Sequence, residues 1–360
     1  MDDLSTLTER EMVRWRVIQE ACSQLTVGKA ARMLGLSIRQ AFRLKARYKD
    51  VGAKGLAHGN RGRRPANAKP EALRNRVLEL FKQEFAGYNT PHFAEALVEE
   101  YGIALNEETL RRWLRRAGFK PKHRHNNRSN HRRCRTREPR FGMMLFLDGS
   151  PHPWLGPSRP KLTLILCTDD ATGRPLWGKL YPQETLAGCF EVLYQVFQQY
   201  GLPQCLYLDR AGQFTTTRHG GTVRLQADTE PTAFEIAMQE LTVEPIFANS
   251  PQARGRGERI NRSFQDRLTV ELAHHRITTV EAANRYINDT FIPRYAERFG
   301  VPPADPTSAF RRLPANRDLR TVLCRKSTRQ VTSDNTISYL GRRYQLLPTS
   351  RSVCVRGSTV

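Results

Sequence analysis

Two spacings of apolar residues divide the chain. Up to about residue 119 they recur every three to four positions, the period of amphipathic helices. From 141 they gather into short runs, the mark of buried strands, with helical stretches between them. "TEREMVRWRVIQEAC" predicts a first helix, with Thr8 as N-cap and Met12, Trp15 and Ile18 inward. In "TVGKAARMLGLSIRQAFRLKARYKDVG", Ala30, Ala31 and Leu34 pack a second helix, "GLS" turns the chain, and Ser37 caps a third. The third helix presents Arg39, Gln40, Arg43, Lys45 and Arg47. A short helix, a glycine turn and a helix rich in Arg and Gln is the helix-turn-helix pattern, whose second helix enters the major groove. Arg39, Gln40, Arg43 and Arg47 are therefore expected DNA contacts, since Arg and Gln form paired bonds to base edges.

Residues 58–69, "HGNRGRRPANAK", form an arm in which Gly and Pro oppose a helix and Arg61, Arg63 and Arg64 suit phosphates or a minor groove. Residues 70–119 predict three more helices and a second helix-turn-helix, with Leu110, Trp113 and Leu114 inward and paired arginines outward. Residues 120–140 are a basic linker that would track phosphates. Its His123, His125 and His131 have no cysteine pair at ligand spacing.

From 141 the order is a strand, a hairpin of two strands, a helix, a strand ending at Asp209, a polar loop, a helix, a strand and a long helix. That order predicts an α/β layer around one mixed sheet, over 141–300. Residues 301–360 follow as a linker and short strands, a small β-barrel-like unit that stops within strand pattern as a truncated end would. The expected divisions are 1–57, 58–69, 70–119, 120–140, 141–300 and 301–360.

Charge narrows the partner. The 360 residues carry a net charge of +23, a field that favours a polyanion, most simply nucleic acid. Residues 1–140 hold 31 Lys and Arg against 15 Asp and Glu, so most of the excess lies in the helical half. Seven cysteines with no C-x-x-C spacing read as reduced thiols, several in apolar runs. No signal peptide and no apolar run of membrane length is visible, which points to a cytoplasmic protein with no membrane partner.

Three carboxylates stand out: Asp148 ending the first strand, Asp209 ending the fourth, and Glu258 on the long helix, 61 and 49 residues apart. The first and fourth strands of such an order can lie side by side, bringing Asp148 and Asp209 to one edge. Glu258 precedes the packing position Ile260 by two residues, about 200° round the helix, and so need not be buried. Carboxylates gathered at one edge repel unless a cation is present. Two Mg²⁺ ions about 4 Å apart can activate an attacking hydroxyl and stabilise the leaving oxygen of a phosphodiester. Asp169 and Asp170 read as hairpin-turn residues, and Glu240 or Glu244 as weaker candidates for a third ligand.

"FLDGSPH", "CTDDATGRPLWG", "YLDRAGQF" and "NSPQARGRGERINRSFQDRL" together resemble the catalytic core of insertion-sequence transposases of the retroviral-integrase superfamily, closest to the ISNCY group. The resemblance is strong over 141 to about 270 and looser on either side. It implies an RNase H-like fold, a D, D, E triad of Asp148, Asp209 and Glu258, and two Mg²⁺ ions for which Mn²⁺ can substitute. It implies a transposase that binds the terminal inverted repeats of an element, cuts a strand and joins the freed 3′-hydroxyl to target DNA, as a homo-oligomer at the nucleoid. Arg254, Arg256, Arg259 and Arg262 around the helix start are expected DNA contacts; His152, Trp154 and Gln213 are expected either to touch substrate or to pack their loops. The rival readings are an inactive, DNA-binding regulator of the same descent and a metal-dependent nuclease without strand transfer.

Overall fold

The computed structural model describes residues 7–57, 68–120, 135–209, 214, 231–247, 255–315, 317–326 and 329–347. It divides into two compact units, Met1–Asn75 and Arg76–Val360. The expected contacts Arg61, Arg63, Arg64, Gln213 and Arg254 lie outside the described residues, as do most of both linkers and 348–360.

The first unit is built from α1 (Glu9–Ser23), α2 (Val27–Met33) and α3 (Ile38–Val51). Thr8 and Ser37 begin α1 and α3 with reciprocal capping boxes, satisfying amide donors that a helix start leaves without partners. Gly35 makes the turn between α2 and α3 at φ +62°, a left-handed conformation that costs glycine nothing. Val17, Ala21 and Ala30 form the core with Leu25 and Leu34 against it, and Ile18, Ala41 and Leu56 are fully buried. Small alanines at the crossing let the helices approach closely.

The second unit takes in most of α4 (Glu71–Gln83), then α5 (Thr90–Tyr101) and α6 (Glu107–Arg116). Phe81, Phe85 and Phe93 knit α4 to α5, with ring centroids 5.0 and 5.3 Å apart. Next come β1 (Met144–His152), β2 (Leu162–Asp169) and β3 (Pro175–Tyr181), then α7 (Leu186–Tyr200), β4 (Cys205–Leu208), α8 (Ala233–Glu240), β5 (Glu244–Phe247) and α9 (Gly255–His274). α10 (Val280–Tyr286) passes through a π turn at Ile287–Phe291 into α11 (Ile292–Phe299); the short α12 is Leu319–Val322. A two-stranded hairpin, β6 (Thr336–Tyr339) and β7 (Arg342–Gln345), follows. Among the described residues that hairpin is all that stands where a small barrel was expected.

The five-stranded sheet has the order β3-β2-β1-β4-β5. β1 pairs antiparallel with β2 and β2 with β3, while β4 and β5 run parallel to β1 and to each other. This is the mixed, RNase H-like sheet the sequence leads one to expect, with the first and fourth strands side by side. β2 reads as continuous apolar sequence because both of its faces are covered. Leu145, Leu147, Ile165 and Cys167 pack with α7 and α8 on one face. Leu164, Leu166 and Leu180 pack with Phe264, Leu268 and Leu272 of α9 and with α10 and α11 on the other. Each fully buried leucine contributes about 1.5–3 kcal/mol relative to exposure.

The sequence does not reveal that α5 is fastened to the core. Arg267 of α9 forks onto both oxygens of Glu95, at 2.5 and 2.9 Å, and stacks over Phe299. Glu271 accepts from His92 at 2.8 Å and from Tyr286 at 2.6 Å, with Arg294 at 3.4 Å. Burial pushes the Glu271 carboxyl up, but the bonds from His92 and Tyr286 and the nearby His92 and Arg294 charges outweigh it and hold it below the usual carboxylate range. α5 thus shares a unit with the five-stranded sheet, whereas the sequence suggested a separate domain over 70–119.

Candidate active site

β1 and β4 are in register from Met144 opposite Cys205 to Phe146 opposite Tyr207. Carried two residues past that last pair, the register would set Asp148 of β1 level with Asp209, the residue that follows β4. Asp148 lies on the α9 face of the sheet. The Phe146 and Tyr207 rings, two positions back, meet there with centroids 5.3 Å apart, and Asp148 is opposite Leu166, which packs under α9. Asp148 does not end its strand, as the sequence suggested. β1 continues to His152 as the partner of β2, while β4 stops at Leu208. Asp148 therefore sits at the gap where the β4 pairing runs out.

α9 crosses over this gap. Asn261 donates from Nδ2 to Oδ2 of Asp148 at 2.7 Å, and Gln265 donates from Nε2 to Oγ of Ser150 at 2.9 Å. The match is geometric: four residues of helix rise about 6 Å and two residues of strand about 6.7 Å, so an i, i+4 pair on α9 meets an i, i+2 pair on β1. A β-carbon placed on Gly257 would be 3.8 Å from the same Asp148 oxygen, so the first turn of α9 overlies that carboxylate. Glu258, the next residue, is exposed. Among the described residues no group of three or more His, Cys, Asp or Glu converges closely enough to hold a metal ion. The structure sets Asp148 just past the last β1–β4 pair and Asp209 just past the end of β4, and puts the exposed Glu258 on the helix turn above Asp148.

The other carboxylates separate cleanly. Glu244 opens β5 opposite Cys205, at the end of the sheet remote from Asp209, and Glu240 pairs with Lys326. Asp169 is fully buried, accepting from the Gly142 amide at 2.9 Å and from Thr172 at both amide and hydroxyl. Burial pushes its carboxyl up, against the pull of those bonds. Asp170, equally buried, accepts from the Glu138 amide at 2.8 Å and pairs with Arg135 at 2.7 Å and with Arg256.

The Asp170 pairing revises the reading of Arg256. Its guanidinium is held by Asp170 and by the Arg135 carbonyl, which fastens the first turn of α9 to the β2–β3 turn and makes it a folding element here. Arg259 and Arg262 remain exposed on the same helix. Trp154 is wholly buried and donates to the Ser150 carbonyl at 3.1 Å, so it packs the loop instead of offering a stacking face, and the His152 ring lies against it at 5.1 Å. In the first unit, Arg39, Arg43 and Arg47 are exposed on α3, but the Gln40 side-chain oxygen accepts from the Ser37 amide and hydroxyl at 3.0 and 3.1 Å, so it serves the cap. Lys45 is turned inward onto the Ala21 carbonyl.

Three residues escaped the sequence reading. Asn261 and Gln265 run beside the apolar stripe of α9 at the same i, i+4 spacing, a signal that was there to be found. Glu184 carries none. Its carboxylate fills the space beside Gly149 that a β-carbon would need, on the sheet face opposite Asp148. Burial pushes the Cys189 thiol up, and the Glu184 and Asp209 charges add to it.

Comparison with known proteins gives a consistent setting. The winged helix-turn-helix family matches residues 14–73. A Sinorhizobium fredii protein named for a transposase, y4bF, is 31% identical over 345 residues, covering 95% of this chain and 74% of that protein. The transposase for insertion sequence IS1202 of Streptococcus pneumoniae is 30% identical over 358 residues, covering 91% of this chain and 75% of that protein. Among solved structures, the HTLV-2 integrase catalytic core domain in complex with magnesium is 14% identical, with a TM-score of 0.31, over 41% of this chain and 84% of that one. A simian T-cell lymphotropic virus intasome chain gives 14% identity and a TM-score of 0.32, over 59% of this chain and 69% of that one. Scores this low support no residue-by-residue correspondence.

Proposed function

This chain belongs to the insertion-sequence transposases, and from that premise we propose that it cuts DNA at the ends of its element and joins the freed 3′-hydroxyls to target DNA. The observation that carries the reading is the parallel register of β1 and β4, which continued two residues past its last pair would set Asp148 beside Asp209, with the first turn of α9 over Asp148. Carboxylate oxygens on one face suit a hard divalent cation, and the residues that would hold it are Asp148 and Asp209, with Glu258 as the third donor. Bound Mg²⁺, with Mn²⁺ as an alternative, would supply charge stabilisation to the attacking and leaving oxygens of an in-line displacement.

The protein's own residues do the rest. Asn261 holds Asp148 by one carboxylate oxygen. Gln265 on Ser150 and Arg256 on Asp170 fix the axis of α9, so that Glu258 is carried on a helix tied at several points. The exposed Arg259 and Arg262 meet backbone phosphates beside the site. In the first unit, α3 reads the terminal repeats from the major groove, with Arg39, Arg43 and Arg47 outward. The outward arginines of α6 add phosphate contacts. Two ends cut and joined together require at least two copies of the chain, acting in the cytoplasm where the element's DNA lies. Among the described residues no helix is long and apolar enough to cross a membrane.

The test is an assay of the full chain with labelled element ends and supercoiled target in Mg²⁺, wild type beside Asp209→Asn. Nicking and joined product from the wild type alone is the expected result. No product from the wild type defeats the enzyme reading in favour of a DNA-binding regulator. Nicking without joining leaves a nuclease, and full activity in Asp209→Asn removes that residue from the site.

A further inference from the structure

α3 has a second exposed character that base-reading arginines do not explain. Phe42 is 57% exposed and Ile38 58%, on a helix whose inward stripe is Ala41, Leu44 and Tyr48. Leaving a phenylalanine ring in water costs burial free energy that the unit could otherwise recover. Phe42 and Ile38 are four residues apart and so stack on one side of the helix. Phe42 lies about 60° round the axis from Arg39, on the flank of the row that Arg39 and Arg43 form. All four residues fall in the first two turns, the part of a recognition helix that reaches base edges. The Ser37–Gln40 capping box fixes that end of the helix and takes up the one uncharged polar side chain able to read a base there.

In the major groove the apolar group that distinguishes one base pair from the others is the thymine C5-methyl. We propose that Phe42, backed by Ile38, reads thymine methyl groups in the element ends, while Arg39 and Arg43 alongside it bond to purine acceptors. The occupant is the major groove of duplex DNA, because the same face is cationic at Arg39, Arg43 and Arg47 and would repel a second copy of itself. The inference rests on the DNA-reading role given to α3 above and adds which base that helix selects.

Replacing thymine by deoxyuridine removes the methyl and nothing else. The full-length protein is titrated by fluorescence anisotropy against its element-end duplex, against versions with single thymines replaced by deoxyuridine, and against a duplex of scrambled sequence. Phe42→Ala and Ile38→Ala are run in parallel, with far-ultraviolet circular dichroism as the check on folding; both positions are exposed, so helix content is expected to hold. The wild type should lose about four-fold in affinity at one or two deoxyuridine positions, the burial of one methyl each. Phe42→Ala should bind the natural end more weakly and show no further loss at those positions. Tight, end-specific binding by the wild type that ignores every deoxyuridine overturns the inference while leaving α3 a DNA reader. Equal binding to end and scrambled duplexes overturns both. Retained thymine discrimination in Phe42→Ala, or a fall in sedimenting mass in place of lost discrimination, assigns the face to another role and also overturns it.

Discussion

Glu271→Ala strikes the joint between α5 and α9. Glu271 is 4% exposed and takes bonds from His92 at 2.8 Å and Tyr286 at 2.6 Å, with Arg294 at 3.4 Å. Removing it leaves His92 buried with neither ring nitrogen partnered, since its Nδ1 already has none and its ring is stacked on Tyr88 at 4.1 Å. Breaking a buried charged pair by deleting one partner costs about 3–5 kcal/mol. Arg294 is 41% exposed and can hydrate, which places the loss near the lower figure, about 3 kcal/mol. At about 2–4 °C per kcal/mol for a domain of this size, the melting temperature of the second unit should fall by about 6–12 °C. Differential scanning calorimetry of the full chain reads this directly. Glu271→Gln, which keeps the shape and two hydrogen bonds, should lose less than half as much. A Glu271→Ala protein melting within about 2 °C of wild type would show that the network adds nothing to stability, and that α5 is seated by its apolar contacts alone.

The same network sets an acid limit. A carboxyl held below its ordinary value contributes stability that is complete above the unfolded-state pKa, near 4.5, and is lost as pH falls through the lower folded value. Thermal melts of wild type against Glu271→Gln should therefore be furthest apart above about pH 5 and draw together as pH falls below the unfolded value and through the lower folded one. At the site, Asn261→Ala removes the 2.7 Å hydrogen bond that orients the Asp148 carboxylate. Cleavage should drop about 10- to 100-fold with affinity for end DNA unchanged, in single-turnover nicking and in anisotropy respectively, and equal rates would remove the positioning role. Arg259→Ala with Arg262→Ala should make the slope of log affinity against log salt shallower by about 2, one unit for each phosphate no longer neutralised; an unchanged slope places neither arginine on the backbone.

Local chemistry told much of this protein in advance. The capping boxes at Thr8 and Ser37 and the left-handed Gly35 set the first unit from neighbouring residues alone. The unbroken apolar runs of β1 and β2 announced strands covered on both faces, and their order put the first and fourth strands together. What periodicity could not give was any contact between distant elements. Nothing along the chain links Glu95 to Arg267 or Glu271 to His92 until α5 and α9 are seen side by side. Arg256 read as a cation for DNA because the sequence does not say that Asp170, 86 residues away, waits for it in the fold. Trp154 had to be either a platform or packing, and only its full burial under the sheet decided. Spacing along the chain fixes which residues share a face of one element; which faces meet depends on the three-dimensional packing of all of them.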